Sequence, residues 1–288
     1  MTSGQLSRIA TMRNRYSSRC SRYLAAAACA GLLAGPAVAQ TVPAPVELED
    51  LTWTEVRAAI STGSTTAIVP IGGTEQNGPA IALGKHNARV RILSARIARE
   101  LGNAIVAPVI AYVPEGRIEP PSSHMRFPGT ISISDATFES LLEGAARSLK
   151  AAGFRDIVFL GDHGGYQPDI RQVVARLNRE WGGAARCHLP AAYYEQSESG
   201  FAQWLRTQGY RDDEIGTHAG LADTSLQLAL DPSSVRADRL QQGRRFGAAD
   251  GVYGGDPTRA SAALGRTGAD RIVAATVAAI RAEVGHPR

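Results

Sequence analysis

Apolar and polar positions recur with two different periods along this chain. Residues 65–71 (TTAIVPI) and 156–160 (DIVFL) are short apolar runs bounded by polar or glycine residues, the pattern of strands buried on both faces. Residues 104–112 and 187–193 carry further strand signal. Between the strands the period lengthens. Val90, Leu93, Ile97 and Leu101 form a helical stripe within 87–101. Ser134 and Asp135 should cap a helix that runs to about Ala152 and stops at Gly153. Helical pattern returns at 167–181, 221–230 and 271–284, and Thr52-Trp53-Thr54-Glu55 has capping-box spacing ahead of a short helix to about Ile60. Strands alternating with helices predict βαβ units: an α/β fold with a mainly parallel sheet covered on both faces. Ligands of such sheets bind beyond the carboxyl ends of the strands, which directs attention to the loops 72–86 and 161–166.

The amino-terminal region follows another pattern. Five arginines (Arg8, Arg13, Arg15, Arg19, Arg22) and no acidic residue precede an apolar run, 24–39, that ends in Ala37-Val38-Ala39. These are the parts of a secretory signal, with cleavage expected after Ala39. The run is broken by Gly31, Gly35 and Pro36 and is shorter than the ~20 residues of a spanning helix. The expectation is therefore an exported, periplasmic protein with no stable membrane anchor after cleavage. Residues 40–51, with prolines and acids, read as an extended tether, and 52–288 as a single domain without repeat or internal linker.

Removing the signal changes the charge balance. The whole chain has 31 Lys+Arg against 27 Asp+Glu, and without the five signal arginines 26 remain against 27. The pI of about 9.1 thus reports the signal, and a nucleic-acid partner receives no support. Cys20 and Cys29 leave with the signal and Cys187 stays alone, which excludes an intramolecular disulfide and a zinc–thiolate cluster in the remainder.

Three segments could carry chemistry: 73–86, 161–165 and 217–220. Glu75 and His86 lie on one strand-to-helix loop and His163 on another. If the loops are neighbours, one carboxylate and two imidazoles converge, a set suited to a first-row divalent ion with positions left open. Asp162 either orients a ligand histidine or caps the following helix. His218, flanked by Gly216 and Gly220, is a candidate proton donor to a leaving amine, or else a surface histidine. His124, with Arg126 on a long irregular loop, could line the mouth of a site. His188 lies in an apolar strand and reads as a satisfied core histidine. No G-x-S-x-G elbow, Walker loop or G-x-G-x-x-G follows a strand.

In VPIGGTEQNGPAIALGKH (69–86), HMRFPGTISI (124–133), FLGDHGGYQ (159–167) and THAGLADTSL (217–226) the chain resembles the creatininase (creatinine amidohydrolase) family. The resemblance implies a three-layer α/β/α fold, a homo-oligomer, and hydrolysis of a non-peptide C–N bond in a small molecule at a zinc, manganese or iron site. It places the family's first-loop Glu at Glu75, its later His at His163 and its catalytic-loop His at His218. It also marks departures. The family's first-loop His is Asn77 here, its metal-bridging Asp falls on His86, a further Glu is replaced by Gly165, and the Glu of its E-T-S segment is Asp223. The resemblance with these departures implies one divalent ion, zinc before manganese or iron, held by Glu75, His86 and His163. Asn77 would stand near the open position, and Asp162, His124 and Asp223 would support the site or bind substrate. A different class remains open: an exported binding protein whose catalytic centre has decayed.

Overall fold

The structure, a computed structural model, describes residues 45–241 and 245–284. The expected signal, 1–39, and the first part of the expected tether lie outside the described residues. Four parallel strands, β1 (Thr66–Ile71), β2 (Ala104–Val106), β3 (Asp156–Gly161) and β4 (Arg186–His188), form a sheet in the order β2-β1-β3-β4. The helices are α1 (Trp53–Ser61), α2 (Lys85–Leu101), α3 (Asp135–Ala152), α4 (Gln167–Trp181), the short α5 (Ala191–Glu195), α6 (Phe201–Thr207) and α7 (Asp212–Ile215), then α8 (Leu221–Leu230) and α9 (Ala262–Val284). A small antiparallel pair, β5 (Gly216–His218) with β6 (Tyr253–Gly255), carries His218.

The central strands are buried along their whole length, and their side chains alternate between two cores. Ile68, Val158 and Leu160 join α2, α8 and α9 on one face. Ala67, Val69, Ile71, Ile157 and Phe159 join α3 and α4 on the other, where Val56 and Ile60 of α1 also pack. The fold is thus the mixed α/β architecture with a parallel central sheet that the pattern predicted.

The capping signals act as read. Thr52 Oγ1 accepts from the N–H of Glu55, whose carboxylate accepts the Thr52 N–H at 2.7 Å. Ser134 caps α3, and Gly153 ends it with φ 111°. Three elements differ from expectation. The strand read over 104–112 ends at Val106, because Pro108 has no N–H to give to a ladder. The chain nevertheless stays beside β1, with Ile110 N–H donating to the Pro70 carbonyl at 3.0 Å. The strand read over 187–193 ends at His188, since Pro190 interrupts it and leads into α5. And α9 begins at Ala262, nine residues earlier than the stripe from Arg271 indicated. Its first turns lie against α8 through Gly265 and Gly268, small residues that leave no apolar signature. Residues 45–51 are folded rather than free: Val46 O accepts from Val106 N–H at 2.8 Å, and Leu48 and Leu51 pack on the core. No described helix is long and apolar enough to cross a membrane.

Candidate metal centre

The carboxyl ends of β1 and β3 are tied together by Tyr166. Its buried hydroxyl accepts from the N–H groups of Asp162 (3.1 Å) and His163 (3.0 Å) and faces the carbonyls of Ile71 (2.9 Å) and Gly72 (2.7 Å). The loop after β1 is stitched to the segment that follows β2. Gln76 N–H donates to Thr130 Oγ1 and Ile131 N–H to the Thr74 carbonyl. Gly73, at φ 155°, leaves room that a Cβ would take from the Glu115 carboxylate.

These connections bring Glu75, Glu115, His124 and His163 together, with one ligand atom from each lying within 4.8 Å of the others. Glu75 is fully buried and divides its two oxygens. Oε1 faces His86 Nε2 (2.7 Å), Lys85 Nζ (3.6 Å) and His218 Nδ1 (3.7 Å). Oε2 has no hydrogen bond among the described residues, yet His124 Nε2 stands 3.1 Å and His163 Nε2 3.6 Å away. Both Glu115 oxygens are likewise buried without a hydrogen bond.

The electrostatics follow from burial. Burial and the neighbouring Glu75 charge push the Glu115 carboxyl up to about 9. Burial works against ionisation of Glu75 too, but His86 and Lys85 outweigh it and hold Glu75 well below the usual carboxylate range. Burial pulls His163 down to about 3 and His218 to about 4, and lowers His124 as well, so the three imidazoles are neutral at pH 7. Neutral imidazole is the form that binds a metal ion.

The sequence-derived ligand set is redistributed. Glu75 and His163 meet as expected. His86 stands beside them but outside the cluster of four, because both its nitrogens are taken by carboxylates: Nε2 by Glu75 Oε1, and Nδ1 by Asp162 Oδ2 at 2.6 Å. Its place among the donors is filled by His124, read earlier as lining the mouth, and by Glu115, which sequence reading missed. Asn77 folds back onto its own loop, donating to the carbonyls of Glu75 (2.9 Å) and Ala82 (3.1 Å), so it braces the loop and is not at an open position. Asp162 accepts from His86, from Arg89 Nε (2.7 Å) and from the Tyr193 hydroxyl (2.8 Å). Asp223 accepts from Lys85 (2.8 Å), Arg89 Nη1 (2.7 Å) and the N–H of Ala219, which fixes the turn after His218. Gln76, also missed, lies between His124 Nδ1 (3.0 Å) and His218 Nε2 (3.1 Å). His188 is satisfied in the core, between Asp156 (3.0 Å) and Glu283 (3.2 Å).

Charge bookkeeping shows what this arrangement fits. Asp162 and Asp223 are matched by Arg89 and Lys85. Glu75, which His86 also faces, and Glu115 remain, two carboxyl groups facing two neutral imidazoles, with three unbonded oxygen atoms between them. A divalent cation would neutralise the pair and satisfy those oxygens, and a mixed carboxylate–imidazole set suits zinc, manganese or iron.

Comparison with known proteins agrees with this reading of the fold. The family described as Creatininase: Creatinine amidohydrolase matches residues 49–280. The chain is 33% identical over 239 residues to the mycofactocin precursor peptide peptidase of Mycobacterium tuberculosis (strain ATCC 25618 / H37Rv), covering 74% of this chain and 82% of that one. It is 27% identical over 195 residues to the creatinine amidohydrolase of Pseudomonas putida, covering 66% and 74%. A solved structure described as Creatininase Mn superposes with a TM-score of 0.68 at 25% identity, over 83% of this chain and 98% of that one. A family match across most of the chain, these relatives and the shared fold lead to one conclusion: the protein belongs to the creatininase family of hydrolases.

Proposed function

We propose that this protein hydrolyses an amide-type C–N bond of a small molecule, with one divalent ion held by Glu75, Glu115, His124 and His163. The observation that carries the reading is the set of unbonded buried oxygens of Glu75 and Glu115 facing two neutral imidazoles. An ion held there supplies Lewis acidity towards a carbonyl oxygen and acidifies a water molecule. Zinc is the first expectation, with manganese or iron as alternatives.

The chain's own residues supply the proton transfers. His218 acts here in its Nε2–H tautomer, with Nε2 2.9 Å from the Gln76 carbonyl, an acceptor, and Nδ1 left with a lone pair on the Glu75 side. As a neutral base, His218 takes the proton of the attacking water at Nδ1. It then returns that proton to the departing nitrogen, so the C–N bond breaks with a neutral amine leaving. Burial, which keeps His218 neutral at pH 7, sets this order of accept first and donate second. Asp223 holds the His218–Gly220 turn through the Ala219 N–H, where Ala219 has φ 53°.

A second reading, hydrolysis of a peptide C–N bond, is favoured by one observation: relatives near one-third identity carry the name of a peptide peptidase. The non-catalytic alternative has less support, because a decayed centre has no reason to keep these donors facing one another. Elemental analysis of purified protein, with hydrolysis assays on lactams, formamides, small amides and short peptides, tests the proposal. Glu75→Ala and His163→Ala should each abolish both bound metal and turnover. An unchanged rate in either would refute the ligand assignment. Export to the periplasm after cleavage at Ala39 and assembly into a homo-oligomer complete the proposal.

A further inference from the structure

Lys85 is placed against two physical preferences at once. It sits in the first turn of α2, where the helix dipole disfavours a cation, and its side chain is 1% exposed. A buried ammonium is retained only where carboxylates surround it. Here Asp223 Oδ2 lies at 2.8 Å and Glu75 Oε1 at 3.6 Å. One turn along α2, Arg89 is equally buried and joins Asp162 to the other oxygen of Asp223. The charges around Glu75 therefore fall into two halves. On the Oε2 side are Glu115 and the imidazoles of His124 and His163, with no Lys or Arg side chain among them. On the Oε1 side are Asp162 and Asp223, with Lys85 and Arg89 cancelling them.

We infer that Lys85 is a built-in cation that permanently holds the place a second metal ion could take between Glu75 and Asp223, and so limits this centre to one ion. The inference rests on the metal-site reading above. Removing the ammonium would leave Asp223 Oδ2 with only the Ala219 N–H and Glu75 Oε1 with only the His86 and His218 imidazoles, while the Oε2 half kept its donors. Two carboxylates sharing a dry space would then recruit a cation from solution. Lys85 acts as a positioning residue, and its signature is ion stoichiometry.

The experiment titrates Zn²⁺ into metal-stripped wild-type protein, Lys85→Met, which keeps most of the stem, and Lys85→Arg, which keeps the charge. Calorimetry and elemental analysis after dialysis count the ions. The expected result is one ion per chain for wild type and Lys85→Arg, and two for Lys85→Met. Metal-free Lys85→Met should also melt lower than wild type and gain more from zinc. A folded Lys85→Met that binds one ion with unchanged affinity overturns the inference, as do two ions in wild type. Wild-type protein that binds no ion overturns the metal-site reading itself. If Lys85→Met folds only with metal, refolding in zinc to a two-ion species supports the inference, and failure to refold in zinc overturns it.

Discussion

Replacing Glu115 with glutamine should move two properties in opposite directions. In the metal-free protein the Glu115 carboxyl is pushed from 4.5 up to about 9, so at pH 7 the folded chain holds a proton there that the unfolded chain has released. A raised carboxyl gives its full stability below the unfolded value and loses it as pH climbs towards the folded one. At pH 7 the loss spans the interval from 4.5, about 2.5 pH units at 1.36 kcal/mol each, or roughly 3 kcal/mol. Glutamine keeps the shape of the protonated acid without the titration. Metal-free Glu115→Gln should therefore be more stable than metal-free wild type by about 3 kcal/mol at pH 7, on the order of 6–12 °C in Tm, and nearly equal to it at pH 4.5. With metal the sign reverses: wild type binds the ion with release of a proton from Glu115, and the variant binds it more weakly. Thermal melts with and without chelator, at pH 4.5 and 7, measure the first effect. Calorimetry in buffers of different ionisation enthalpy measures the proton. A variant that is destabilised equally at both pH values without metal would refute the assignment of Glu115 as a buried acid waiting for a cation.

Three further outcomes are expected. Burial lowers the His188 imidazole, but its bonds to Asp156 and Glu283 outweigh that and raise it above the ordinary value. The stability lost in His188→Gln, about 1.5–3 kcal/mol, should then be fully present below about pH 6.5 and shrink as pH rises through the folded value. A pH-independent difference in melting would contradict it. Gly265→Ala would drive a methyl into the Ser225 carbonyl at the α8–α9 contact and should cost at least about 2 kcal/mol, read as a fall in denaturation midpoint. Protein recovered from the periplasm should begin at Gln40; an intact amino terminus at Met1 would remove the export proposal.

Much of the fold was legible because it rests on local periods. The capping box at Thr52, the glycine stop at Gly153 and the double burial of 66–71 and 156–161 are each set by a few adjacent residues. Where expectation and structure part, the cause is again local: Pro108 and Pro190 shorten strands that otherwise read as continuous. The start of α9 escaped notice because glycines that allow close helix packing carry no apolar stripe.

The site was legible only in part. By itself the sequence directed attention to the loops after β1 and β3 and placed Glu75 and His163 on them, and its resemblance marked Asn77, His86 and Gly165 as departures. Those facts depend on residue identity and on the rule that strand ends carry ligands. Tertiary structure alone decided which side chains share a centre. Glu115 and His124 reach Glu75 because the segment after β2 is hydrogen-bonded to the loop after β1, a registration that no local pattern encodes. His86 left the donor set for the same kind of reason. Asp162 and Glu75, 87 residues apart in the chain, stand within hydrogen-bond reach of its two nitrogens and keep it out of the cluster of four.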